Sequence, residues 1–596
     1  MREYSESAIV KAPTTGNLTI HILENERDAP DHPAIMRLIS GSWRGMPMRQ
    51  FADEIRALAK GIIASGVQPG DRVCIMSKTR YEWTLANYAL WFAGAVMVPI
   101  YDTSSAEQVE WILSDSGAVG VFLETDRHRE VFDQVSAGLP SVTRVWMIDD
   151  GALDDLAQSG VEVSDEDLEA RRSSLQPDSV ATIIYTSGTT GRPKGCALSH
   201  SNFMFEIDAV VNGLPGVFTK ESSTLLFLPL AHVFGLLIQL GCVRSQVSLG
   251  HTSDIKNLVQ SLGTFHPTFL LSVPRVFEKV YNMAQQKAEA GGKGGIFDAA
   301  ASTAIDYSRA MDTGGPGLVL KLKHALFDKL VYGKLRAALG GQVTYAVSGG
   351  APLGERLGHF FRGLGVTVLE GYGLTETTGA STVNRPDQVK LGTVGKPLPG
   401  SSARIADDGE VLLAGPQIFL DYWNNEAATS EAMDKDGWFH SGDIGTIDDE
   451  GFVRITGRKK ELIVTAGGKN VAPAVLEDRL RAHSLVSQCM VVGDAQPFIA
   501  CLVTLDAESL PAWLEQRGKP ADTPANDLVG DKEIQDAIQE AVDDANKAVS
   551  KAEAIKKFTV LPVDWTEEGG QLTPSLKLKR NVVLEEFAGA IVELYS

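Results

Sequence analysis

Apolar residues along the chain fall into short β-branched runs separated by amphipathic stretches. DRVCIMS at 71–77, GAVMVPI at 94–100, VGVFLE at 119–124, VATIIYTS at 180–187 and VTYAVSGG at 343–350 read as strands. This βαβ rhythm predicts parallel sheets flanked by helices, with ligands collecting at the carboxyl ends of strands, where the glycine-rich loops lie. From about Gly392 the pattern changes to short strands and turns, GKPLPGSSARIADDGEVLLAG, which predicts a small antiparallel or barrel-like region. Later, Ile534, Ile538, Ala541, Val542, Ala545 and Val549 recur at helical spacing, and FTVLPVDW at 558–565 reads as a strand. The basic run Gly457-Arg458-Lys459-Lys460 separates the two regimes. We therefore expect an α/β chain with a large N-terminal domain over 1–456, built of parallel-sheet layers plus the barrel-like region. A smaller, mobile α+β domain over 457–596 follows, with a hinge near Gly457.

Length supports this division, since 596 residues exceed what one hydrophobic core usually serves. With 44% apolar and 22% charged residues the chain has the composition of soluble globular proteins. A formal net charge of −21 argues against general affinity for nucleic acid or anionic membrane, although a local basic patch escapes that average, so ligand phosphates have to be met by local basic groups. Cys74, Cys196, Cys242, Cys489 and Cys501 are scattered, without metal-site spacing or a disulfide framework, which fits a reducing cytoplasmic setting. The start MREYSESAIVKAPTTG lacks the features of a signal peptide. LLFLPLAHVFGLLIQLGCV, from Leu225 to Val243, is near membrane-spanning length, but Pro229, His232 and Gln239 interrupt it. A buried strand, turn and helix account for it better, leaving peripheral membrane contact open and oligomeric state unspecified.

The strongest local signal is the run from Tyr185 through Thr186, Ser187, Gly188, Thr189, Thr190, Gly191, Arg192, Pro193 and Lys194 to Gly195. Glycines turn backbone N–H groups toward an anion, hydroxyls donate further hydrogen bonds, and Lys194 adds a compact positive charge. The segment is not a Walker loop, because Lys194 follows proline and precedes glycine. In LPLAHVFG at 228–235, His232 lies between apolar runs, as a lining imidazole or as a satisfied core histidine.

The phosphate loop resembles that of the adenylate-forming superfamily of acyl-CoA synthetases, peptide synthetase adenylation domains and luciferases. The likeness extends, in family order, to Ser348-Gly349-Gly350-Ala351-Pro352-Leu353 and Gly371-Tyr372-Gly373-Leu374-Thr375-Glu376. It continues through Gly437-Trp438-Phe439-His440-Ser441-Gly442-Asp443, the 457–460 run, and Leu572-Thr573-Pro574-Ser575-Leu576-Lys577. LPLAHVFG and VPRVFEKV at 273–280 look like the long-chain fatty acyl-CoA synthetase branch.

The resemblance implies activation of a long-chain fatty acid by ATP to an acyl-adenylate, followed by transfer to coenzyme A. It implies that Gly349, Gly350 and Ala351 lie against adenine, and that Gly371, Tyr372, Gly373 and Thr375 complete the nucleotide site. Glu376, with Thr186, would hold Mg²⁺, Asp443 would accept from the ribose hydroxyls, and Arg458 would approach from the hinge. Lys577 would bridge carboxylate and α-phosphate, His232 would line the carboxylate site, and Gly467, Gly468 and Lys469 would form the coenzyme A face. Many relatives carry aspartate where Gly457 stands, which puts in doubt any hinge carboxylate here. Two rival readings are a fatty acyl-AMP ligase serving a carrier protein and a non-catalytic acyl-binding protein. The second predicts losses among Thr375, Glu376, Asp443 and Lys577, and none is lost.

Overall fold

The computed structural model describes residues 1–186, 192–573 and 577–596. All five expected runs are strands: Arg72–Met76, Val96–Ile100, Gly120–Leu123, Val180–Thr186 and Tyr345–Ser348. Four of them share a seven-stranded sheet in the order Asp421–Tyr422, Lys194–Ser199, Val180–Thr186, Val96–Ile100, Arg72–Met76, Gly120–Leu123, Arg144–Met147. Pairing is parallel from Val180–Thr186 outward to Arg144–Met147 and antiparallel at the other end. Central strands buried on both faces have no polar side to alternate, which explains why Val73, Cys74, Ile75 and Met76 are all fully buried. At the antiparallel end Thr186 pairs with Lys194, so the lysine opens the strand Lys194–Ser199.

A second sheet joins Phe269–Ser272, Tyr345–Ser348 and Thr367–Tyr372 in parallel, and Thr382–Val383 and Lys396–Pro397 extend it antiparallel. The Leu225–Val243 segment is a strand, Ser223–Leu226, a turn, and a helix, Val233–Arg244, buried along almost its whole length. Among the described residues no helix is long and apolar enough to cross a membrane. The region after Gly392 is antiparallel, with Ser402–Ile405, Glu410–Ala414, Phe439–Ile447 and Val453–Arg458 in one sheet. That sheet is open, and its far edge is the N-terminal strand Glu3–Ser5, which no pattern in the sequence announced.

Beyond it, the helical spacing at 534–549 corresponds to the helix Lys532–Asn546, started by the Asp531 carboxylate accepting from the Glu533 and Ile534 amides. Its apolar stripe packs against a three-stranded sheet of Val486–Val492, Ile499–Leu505 and Ile555–Leu561. The main apolar cluster runs as far as Val453, and the next begins at Ile463. Gly457 and Arg458 still belong to the strand Val453–Arg458, paired with Ile444 and Asp443. Polar contacts join the two parts: Arg275 to Asp506 at 3.1 Å, Lys279 to Glu508 at 2.9 Å, and the Thr103 hydroxyl to Glu567.

Candidate active site

The strand ends and loops of these sheets open onto one continuous cleft of about 2640 Å³. Thr186, Lys194, His232, Gly349, Gly350, Ala351, Gly371, Tyr372, Gly373, Thr375, Glu376, Asp443, Arg458 and Lys577 all line it. Ser187, Gly188, Thr189, Thr190 and Gly191 lie outside the described residues. Gly467, Gly468 and Lys469 are not among the lining residues. They sit at the turn between Ile463–Val464 and Asn470–Val471, where Lys469 pairs with Glu553 at 3.4 Å.

The strand Thr367–Tyr372 ends in a short 3₁₀ turn, Thr375–Thr377, which aims Glu376 into the cleft. Gly373 makes this path possible, since a Cβ there would lie 2.1 Å from the Gly379 carbonyl oxygen. Gly350 adopts φ +82° in the loop after Tyr345–Ser348, a conformation glycine enters without steric cost. Glu376 Oε1 accepts from the Tyr422 hydroxyl at 2.7 Å, and the Lys194 ammonium lies 4.9 Å from the Tyr422 ring centroid. The Cys196 thiol on the neighbouring strand is fully buried, and burial, then the Glu376 charge, pushes its pKa up. The two residues expected to hold a metal, Thr186 and Glu376, both line the cleft. A carboxylate and a hydroxyl are hard donors of the kind Mg²⁺ takes, so the pair fits that ion.

Asp443 lies on Phe439–Ile447, where its Oδ2 accepts from the Tyr372 hydroxyl at 2.6 Å and its Oδ1 faces Arg458 Nε at 3.0 Å. A carboxylate has about four lone-pair sites, so two remain for other donors. Burial raises the Asp443 pKa, and Arg458, Tyr372 and Lys577 pull it back. Burial works against the Arg458 charge, but Asp443 foremost outweighs it and the guanidinium pKa rises.

His232 begins the helix Val233–Arg244, and its Nδ1 accepts from the Phe234 amide at 3.2 Å. Burial lowers its pKa to about 3, with Lys577 adding to the effect. The ring is thus neutral near pH 7, and with Nδ1 accepting, its proton sits on Nε2.

Lys577 enters from the C-terminal part. Its amide donates to Thr573 Oγ1 at 3.0 Å and its carbonyl accepts from the Thr573 amide at 2.8 Å, which holds the ends of this loop together. The side chain stays open to water within the cleft while protein surrounds it. That enclosure, then Arg458, lowers its pKa, and Asp443, Glu376 and Glu461 oppose the shift. Arg580, three residues on, instead pairs with Glu477 at 2.7 Å.

Tyr422 and Cys196 are the site residues that sequence reasoning missed. Neither stands in a motif with a chemical signature, and they meet only because Tyr422 pairs with Cys196 across two strands. The AMP-binding enzyme profile matches residues 23–423, and the profile of the AMP-binding enzyme C-terminal domain matches 460–596. The chain belongs to the AMP-binding enzyme family. Among AMP-binding enzymes it is 53% identical over 599 residues to the long-chain-fatty-acid–CoA ligase FadD15 of Mycobacterium bovis, covering 100% of both chains. It is 32% identical to the long-chain-fatty-acid–CoA ligase ACSBG2 of Xenopus laevis, over 97% of this chain and 84% of that one. The fold is that of the anthranilate CoA ligase AuaEII crystallised with anthranoyl-AMP, at TM-score 0.73 and 19% identity over 98% of this chain and 100% of that chain.

Proposed function

We propose that this protein is a long-chain fatty acid–CoA ligase, converting ATP, a fatty acid and coenzyme A to acyl-CoA, AMP and diphosphate through an acyl-adenylate. The observation that carries this reading is the end-to-end similarity to FadD15 combined with a cleft in which polar groups meet apolar walls. Val210, Leu214, Phe218, Phe227, Leu237 and Ile238 line the same cleft as Lys577 and His232. Such a lining suits an alkyl chain, because each buried CH₂ contributes about 0.8 kcal/mol.

In the first step a carboxylate oxygen attacks the α-phosphorus, the new O–P bond forms, and the bond to the β-phosphate breaks. Two anions must meet, so catalysis is chiefly placement of positive charge. Lys577 bridges carboxylate and α-phosphate, Lys194 and the hydroxyl loop hold the outer phosphates, and the His232 Nε2–H donates to the carboxylate. Glu376 and Thr186 are the residues that would hold Mg²⁺, whose charge offsets that of the phosphates when bound. Asp443 receives the ribose hydroxyls while Tyr372 and Arg458 keep its carboxylate oriented.

In the second step the coenzyme A thiol, losing its proton, attacks the acyl carbon, the C–S bond forms and AMP leaves. Residues 457–596 rotate about Gly457 between the steps, breaking the Arg275–Asp506 and Lys279–Glu508 pairs and withdrawing Lys577. The Gly467-Gly468-Lys469 turn then faces the acyl-adenylate. Both ion pairs are partly exposed, so each costs little to break. We place the enzyme in the cytoplasm, where its five free cysteines stay reduced. Coenzyme A-dependent AMP release across fatty acids from short to very long tests the reading. Turnover confined to short or aromatic acids would overturn the substrate class, and AMP release without thioester would overturn the reaction.

A further inference from the structure

The helix Leu318–Phe327 has no fully buried residue, although apolar side chains dominate it. Leu318, Val319, Leu322, Leu326 and Leu330 are 81%, 70%, 73%, 56% and 49% exposed. The four leucines recur every fourth residue and Val319 lies beside Leu322, so they form one stripe along the helix and its π-turn continuation, Asp328–Tyr332. Soluble proteins expose single leucines freely but seldom a contiguous row. The opposite face is anchored: His324 Nε2 lies 2.6 Å from the Gly363 carbonyl oxygen, the His324 ring stacks on Tyr307, and the Tyr332 hydroxyl donates to the Ala300 carbonyl at 2.7 Å. The stripe is therefore held outward by a packed helix.

Charge narrows the choice of what covers it. In a chain of formal net charge −21, residues 318–336 carry Lys321, Lys323, Lys329, Lys334 and Arg336 against the single acid Asp328. Asp328 pairs with Arg336 at 2.7 Å, and none of the four lysines is ion-paired with a described residue. At 100° per residue, Lys321 and Lys323 fall on the two flanks of the stripe. Long basic side chains beside an apolar row can lay their stems on hydrocarbon while their ammonium groups reach anionic headgroups. A second copy of the chain is a poor occupant, because a two-fold contact would set these lysines against themselves.

We propose that this helix docks the protein on an anionic lipid surface, the leucine row entering the headgroup boundary and the lysines meeting lipid phosphates. The docking rests on this surface alone and holds whichever acid the enzyme activates.

Flotation of the full chain with vesicles tests it. The protein should float with phosphatidylcholine vesicles containing phosphatidylglycerol, far less with phosphatidylcholine alone, and less at high salt, where the screening length falls from about 10 to about 3 Å. Lys321→Glu and Lys323→Glu should each lower partition about fivefold or more, the factor carried by one basic charge at such a surface. Leu322→Ser with Leu326→Ser should abolish flotation while leaving the melting temperature and the turnover of a water-soluble short acid unchanged, since both leucines are exposed. Flotation unaffected by these changes would overturn the proposal by assigning binding to another face. So would absence of flotation with a dimer that Leu322→Ser and Leu326→Ser dissociate, which would make a second copy the occupant.

Discussion

Replacing Lys577 with alanine removes one positive charge from a cleft in which Arg458, Asp443, Glu376 and His232 are its electrostatic neighbours. At about 4 Å and an effective dielectric near 20, one charge acting on another contributes roughly 4 kcal/mol. Lys577 remains open to water inside the cleft, so the lower part of the range measured for preorganised donors applies, about 2.7 kcal/mol or 10²-fold. The loss should fall on adenylation alone, because the second step follows withdrawal of the lysine. Diphosphate–ATP exchange dependent on fatty acid should drop by that factor in Lys577→Ala. Thioester formation from presynthesised acyl-AMP and coenzyme A should stay near the wild-type rate. Lys579→Ala, two residues on, serves as the control and should leave both steps largely intact. Normal exchange in Lys577→Ala, or equal loss in both half-reactions, would refute both the assignment and the two-conformation mechanism.

Three further expectations rest on particular contacts. Tyr422→Phe keeps a ring beside Lys194 but removes the hydroxyl from Glu376, so half-maximal exchange should need about 10–100-fold more Mg²⁺ and recover at saturation; an unchanged Mg²⁺ titration would dismiss the role. At Gly457 an added Cβ would meet only the Ala472 Cβ at 3.5 Å, so Gly457→Val should spare exchange and slow thioester formation, and equal slowing would indicate general destabilisation. Glu370, buried and accepting from the Leu353 amide at 3.0 Å in the loop after Tyr345–Ser348, has its pKa raised by burial from 4.5 to about 7. Between those values the folded chain holds a proton that the unfolded chain releases, so this group's contribution is full below pH 4.5 and lost as pH rises through about 7. Glu370→Gln should therefore gain stability relative to wild type across that window, by roughly 3 kcal/mol in denaturant melts, and parallel pH profiles would contradict the shift.

Local chemistry made much of this protein legible in its sequence. Strands such as Arg72–Met76 and Val180–Thr186 are continuous apolar runs because both sheet faces are covered, and the helix Lys532–Asn546 shows its buried stripe at the helical period. Thr375, Glu376, Asp443 and Lys577 could be named because the runs they stand in resemble motifs of the adenylate-forming superfamily, whereas the residues 572–577 taken alone read as a basic surface turn. The tertiary structure decided what depends on residues distant in the chain. Glu376 and Tyr422 lie 46 residues apart, and Tyr372 and Asp443 71 apart, so no window contains either hydrogen bond. The N-terminal strand Glu3–Ser5 finds its partner near residue 403, a pairing that no propensity over three residues could select. Whether His232 is a neutral site group or a core histidine depended on burial and the lysine facing it, both products of packing. Hydrophobic period is a property of neighbours along the chain, whereas desolvation and pairing are properties of neighbours in space. The leucine row of Leu318–Phe327 shows the same limit, since only the fold decides that this apolar face is left uncovered.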